Sequence, residues 1–200
     1  MGYLCGLVPT RSRVAFTNTS KRMTHRRRWF DRRFALGLPV VALPDVIERL
    51  RGTPVRLEER ISELPRTVLS TRVDDAWSIQ ENAGHLLDLE PLWAGRLEDI
   101  VDGSLTLRDA DLANRKTHEA GHNERDIAEL LQEFRSARST LVNALEACSE
   151  TVRARTSRHP RLGQPMSVAD LFFFVAEHDD HHLSRITEML RQSEQEAVSP

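Results

Sequence analysis

The sequence predicts an all-α protein, an up-down-type four-helix bundle. Four stretches repeat apolar residues at the three-and-four spacing of one buried helix face. Alternating Val/Ile/Thr/Tyr segments are scarce, and with 29% charged and 6% aromatic residues the composition suits soluble helices rather than strands. Serine-led caps and Gly or Pro breaks separate the stretches. Two hundred residues and 40% hydrophobic content suit one domain with a single core.

Residues 1–33 hold nine Lys/Arg and one acid, Asp31, a surplus of eight positive charges; with a net charge of −2 overall, the rest carries −10. A domain-wide basic surface is therefore absent, which argues against a nucleic-acid partner. Met1–Arg22 shows no period, and its apolar piece Gly2–Val8 is too short for a secretory core and lacks a preceding basic residue. The expected organisation is a disordered or loosely docked basic extension over 1–33 and a bundle domain over 34–200. Within the extension, Arg26–Arg28 and Arg32–Arg33 are expected to be solvated, with Trp29 and Phe30 docked on the domain. No apolar run approaches the roughly 18 residues that span a bilayer, so no membrane partner is expected. Cys5 and Cys148 match no zinc, redox or disulfide spacing, and Cys148 falls on an apolar stripe as a buried, inert thiol. This predicts a reducing, cytoplasmic compartment.

The first helix is expected from Pro44 to Leu64, in two pieces or as one kinked rod. Gly52 interrupts it, and Thr53-Pro54 reads as N-cap and first-turn proline. Ile47, Leu50, Leu57, Ile61 and Leu64 form its apolar side, and Pro65 closes it. Ser78-Ile79-Gln80-Glu81 is a capping box that opens the second helix. Ile79, Ala83, Leu86, Leu89, Trp93, Leu97 and Ile100 line its buried side, Pro91 predicts a kink, and Asp102-Gly103 ends it. A polar connection follows with His118 and His122, read as surface or loop residues and as a weak alternative source of ligands.

The third helix is expected from Asn123 to Ser149, with Ile127, Leu130, Leu131, Phe134, Leu141, Leu145 and Cys148 inward and Arg135, Arg138 and Glu146 outward. A basic link, Arg158–Pro165, places His159 before a proline, in a turn. Ser167, with Asp170 three residues on, caps a last helix reaching about Arg191.

That last helix carries the chemistry. Val168, Leu171, Phe172, Val175, Leu183, Ile186 and Met189 define its buried face, and the same spacing puts His178 and His182 on it. Side chains four apart have Cβ atoms about 5–6 Å from each other, close enough for two imidazoles to hold one ion at about 2.0–2.1 Å each. Two ordinary core histidines are the competing reading. Against it, each ring brings two polar nitrogens, and an unsatisfied buried one costs about 1–3 kcal/mol. His85, bordering the stripe of the second helix, supplies a third imidazole if the second and fourth helices face each other. Three histidines leave coordination positions open, as in catalytic rather than closed structural sites.

Trp77-Ser78-Ile79-Gln80-Glu81-Asn82-Ala83-Gly84-His85-Leu86, Asp88-Leu89-Glu90, and Ala176–Ile186 with its Glu-His-Asp-Asp-His-His core resemble the two signature helices of the DinB/YfiT-like superfamily. The similarity covers about Leu43 to Leu190. It implies a four-helix bundle, commonly a homodimer, binding a divalent metal (zinc, nickel or iron) through His85, His178 and His182, with His181 turned away. Relatives include thiol-dependent transferases and isomerases. The implied function is thus a metal-dependent transferase or hydrolase acting on a small molecule, with a low-molecular-weight thiol as a further partner. A non-catalytic metal-binding or interaction bundle is the alternative.

Glu81, one turn before His85, and Asp88, nearly one turn after it, are the candidate catalytic carboxylates, as base or as orienter of a ligand ring. Their competing roles are cap residue and solvent-side acid. Glu177 and Asp179 are expected beside the ligands or in solvent, and Arg185 in an ion pair rather than on an anionic substrate.

Overall fold

The computed structural model describes residues 26–74 and 76–198, the last three as backbone alone. The expected extension over Met1–Arg22 and Cys5 lie outside the described residues. Four long helices make the bundle: α1 (Leu43–Ile61), α3 (Ile79–Val101), α5 (Ile127–Glu146) and α7 (Val168–Val198). Short helices α2 (Arg66–Ser70), α4 (Arg115–Glu119) and α6 (Glu150–Arg153) sit in the links.

Local sequence explains most boundaries. Ser78 Oγ accepts from Glu81 N while Glu81 Oε2 accepts from Ser78 N, so the capping box forms as expected. Ser167 and Asp170 make the same reciprocal pair at the start of α7. The third helix starts later than expected, because Asp126 takes the cap by accepting from Ala128 N and Glu129 N. The first helix is one continuous rod through Pro54, and Thr53 is not a cap. Its hydroxyl lies mid-helix, donating to Asp179 Oδ2 at 2.9 Å, with Arg49 O also within 3.1 Å.

The link expected before α7 holds a two-stranded antiparallel hairpin, β1 (Thr156–Arg158) and β2 (Pro165–Ser167), which pairs Ser157 with Met166. Leu105–Leu107 from the polar connection lies along β1, with Leu107 N bonded to Arg158 O. His159 sits in the hairpin turn as expected, but its ring is buried. Cys148 is half-buried rather than buried, with a free thiol.

Both α1 and α3 pack on both α5 and α7. The ring order is therefore α1–α5–α3–α7, with the first and second long helices, and likewise the third and fourth, across the diagonals. This makes α3 and α7 neighbours, the condition for His85 to meet His178 and His182.

The core is split in two. One apolar cluster gathers Leu50, Trp93, Leu145 and Phe172 with their neighbours, and the other Leu57, Leu86, Phe134 and Ile186 with theirs. Between the clusters each long helix contributes a polar residue: Thr53, Glu90, Arg138 and Asp179. Arg138, expected to face solvent, is 1% exposed. Position 138 follows Phe134 by four and precedes Leu141 by three, so the spacing itself turns it inward.

Candidate metal centre

The three histidines lie in this gap. His178 and His182 are one turn apart on α7, and their rings are 4.6 Å apart. His85 projects from α3 with its ring 5.3 Å from His178 and 4.8 Å from His182. One ligand atom from each ring lies within 4.8 Å of the others, and all three residues are buried.

Hydrogen bonds assign the protons. Thr117 Oγ1 donates to Asp88 Oδ2 at 2.9 Å and is left to accept from His85 Nδ1 at 3.0 Å. Asn82 Nδ2 donates to Ser78 O, which turns Asn82 Oδ1 to the Nδ1 of His182 at 2.9 Å. Both rings therefore carry their proton on Nδ1 and present the Nε2 lone pair. Burial pushes His85 down to about 4, with Asp88 pulling weakly the other way. Burial also drives His178 and His182 well below the ordinary histidine value, and the neighbouring imidazoles add to the shift. Neutral rings are the form that ligates metal.

The donor set fits a divalent ion. Among the described residues His178 Nδ1 is buried without a hydrogen-bond partner, a group whose isolation costs free energy unless something accepts its lone pair. Three imidazoles suit zinc, nickel, iron or copper.

Of the two carboxylates singled out by sequence, Asp88 reaches the cluster through Thr117 and also accepts from His122 Nε2 at 2.8 Å. Those contacts hold its carboxyl below the usual range despite burial. Glu81 is occupied by the cap and by Arg72, whose Nε donates to it at 2.8 Å. Burial opposes its ionisation, but Arg72 and Ser78 outweigh that and bring it to about 2.

His122 and His181 depart from expectation. His122 is buried, because Gly84 leaves the space: a Cβ there would lie 2.3 Å from the His122 ring. His118 is exposed, edge-on to Trp77 at 5.5 Å. His181 is also buried and lines the cavity beside the triad instead of turning away. Asp179 pairs with Arg138, Glu177 with Arg32 and Arg49, and Arg185 with Glu188. Among the described residues of the extension, Trp29 packs edge-on to His178 at 4.9 Å, whereas Phe30 is exposed.

A cavity of about 360 Å³ opens onto the triad. Its walls include Trp29, Trp77, Trp93 and Phe174, with Arg96 and Arg161 on the side of the hairpin turn. The volume is that of a small-molecule site, where pockets run from about 300 to 1,000 Å³.

Fold and site define an all-α bundle with a buried histidine triad at the foot of an aromatic cavity. The chain belongs to the DinB superfamily, whose model matches residues 49–186. None of the curated proteins matches the sequence. Among solved structures, YfiT from Bacillus subtilis, described as a probable metal-dependent hydrolase with an unusual four-helix bundle topology, superposes with a TM-score of 0.70 at 17% identity, over 81% of this chain and 93% of its own. A mycothiol-dependent maleylpyruvate isomerase superposes with a TM-score of 0.59 at 11% identity, over 76% of this chain. The chain spans 62% of that isomerase's length.

Proposed function

We propose that this chain is a divalent-metal-dependent enzyme acting on a small molecule, with the ion held by His85, His178 and His182. The observation that carries the reading is the convergence of three buried imidazoles, one with a nitrogen that meets no partner among the described residues. The cavity above them favours turnover over a non-catalytic metal-binding or interaction role.

A bound divalent ion supplies Lewis acidity, enough to activate water or a thiol near neutral pH. The chain's own residues do the rest. Asp88 orients His85 through Thr117, and Asn82 orients His182, each keeping a proton on Nδ1. The tryptophans around the cavity exclude water and face the apolar part of a substrate. Hydrolysis and thiol-dependent transfer are the two reaction classes proposed. The description of YfiT supports the first, and the thiol dependence of the isomerase the second. The free Cys148 thiol supports a reducing, cytoplasmic setting, and the family resemblance a homodimer.

Metal content of untagged protein tests the reading. About one divalent ion per chain is expected, lost in His178→Ala at unchanged far-UV circular dichroism. Metal-free wild type, or full occupancy in His178→Ala, sinks it. A screen of ester hydrolysis and thiol transfer on loaded and chelator-treated protein then separates the two classes.

A further inference from the structure

Two guanidinium groups lining the cavity form no ion pair among the described residues. Arg96 is 1% exposed, yet among the described residues no carboxylate comes within ion-pair distance of it. Its Nε donates to Arg108 O, its Nη1 faces His159 Nε2, and it lies over the Trp93 ring at 5.5 Å. Asp99 and Asp109 help it only from a distance, and Asp99 is engaged by Arg108. Arg161, half-buried in the hairpin turn, also lacks an ion-pair partner among the described residues. Among the described residues its side chain makes no hydrogen bond and its Nη2 is buried without a partner, while its guanidinium lies over the Phe30 ring at 5.1 Å. Between them, His159 accepts from Arg161 N and Leu162 N at Nδ1, so it too is surrounded by donors.

A buried cation without a counter-charge is costly, and a cation beside a cavity is matched by a charge the cavity receives. Burial lowers Arg96 to about 10 and pushes Arg161 down as well, the direction expected of cations short of an anion. The rest of the wall combines aromatic and aliphatic side chains with Asn114 and two exposed acids, Asp109 and Asp111, the latter engaged by Arg115.

We infer that the cavity binds small carboxylates with an apolar body: the carboxylate pairs with Arg161 and Arg96, and the body lies among the tryptophans, with its far end toward the histidine triad. This names the substrate class of the centre proposed above and rests on that reading for the reactive end, while the anion subsite stands on the two arginines. Guanidinium groups are suited to carboxylates because their donors match both oxygens.

The three tryptophans of the chain, Trp29, Trp77 and Trp93, all line this cavity, so intrinsic fluorescence reports its occupancy. Acetate, butyrate and phenylacetate are titrated against their neutral amides, with calorimetry as a second readout, on zinc-loaded and on chelator-treated full-length protein. At least one of the longer acids is expected to bind about tenfold or more tighter than its amide. Arg161→Gln is expected to cost about tenfold in acid affinity and to abolish the preference for acid over amide. Arg191→Gln, exposed near the end of α7, is expected to change neither.

Equal binding of acid and amide, no binding of any of the three acids, or unchanged acid affinity in Arg161→Gln would overturn the inference. So would an acid affinity that follows metal loading alone, since the carboxylate would then sit on the ion. If the protein holds no metal but keeps an Arg161-dependent preference for acids, the anion subsite stands and only the metal reading falls.

Discussion

Arg138 on α5 and Asp179 on α7 meet in the middle of the bundle, with Nη1 donating to Oδ2 at 2.5 Å and both side chains at most 1% exposed. Glu90 on α3 completes the group at 2.6 Å from Nη2, and Thr53 on α1 donates to Asp179. The group fixes α7 against the other three helices one residue after His178.

Arg138→Met is expected to destabilise the fold by about 3–5 kcal/mol, because it leaves two carboxylates buried without a cation. Burial already pushes the Glu90 carboxyl up, with Arg138 opposing. Without the guanidinium it rises further, so the folded state holds a proton that the unfolded state releases. The variant should therefore gain stability relative to wild type as pH falls, and lose it as pH rises through the raised value. Urea denaturation between pH 5 and 8 checks this; a loss that does not vary with pH would refute the assignment.

Thr117→Val and Asn82→Ala should leave the fold near wild type but weaken metal binding about 10- to 100-fold, since each removes the acceptor that orients one imidazole. Competition with a chelating dye measures the affinity. Unchanged binding in both variants would show that these contacts do not hold the rings.

Gly84→Ala pits two effects against each other. The methyl group gains about 1 kcal/mol of helix propensity but displaces the His122 ring and breaks its bond to Asp88. Overpacking of this kind costs about 1–3 kcal/mol, so thermal unfolding should show a net loss. Gly84→Ala combined with His122→Ala should recover it.

The chelator-treated protein should be acid-sensitive. Burial, with Arg96 and Arg161 adding to it, holds His159 at about 4, below an unfolded value of about 6.5. Between these values the unfolded chain binds more protons, so stability present above about pH 6.5 is lost as pH falls toward 4. His159→Gln should flatten that part of the stability curve; an unaltered slope would show that other groups set it.

Much of this was legible in the sequence, for reasons that differ by residue. The four helices were legible because one-sided burial leaves a period, and Ser78 and Glu81 because a reciprocal cap needs those types at that spacing. The His178 and His182 pair was legible because four residues on a helix is a contact distance. Ring order was not, since a stripe says which face is buried but not against what. Arg138 had the spacing of a core residue, and its charge misdirected the reading; its partners Glu90 and Asp179, on other helices, are invisible to local pattern. Thr117 sits in a five-residue helix too short to show a period. The one cue to His122 was Gly84, a glycine in mid-helix with no turn to explain it.

The diagonal placement of the first long helix against the second, and of the third against the fourth, also bears on how the molecule comes to exist. Asn82 and His182, which share a hydrogen bond, are 100 residues apart in the chain. No early hairpin of neighbouring helices can build the triad; a long loop must close first, which slows folding relative to bundles that zip up locally. During synthesis His85 emerges well before either of its partners, and the site can assemble only after α7 has left the ribosome.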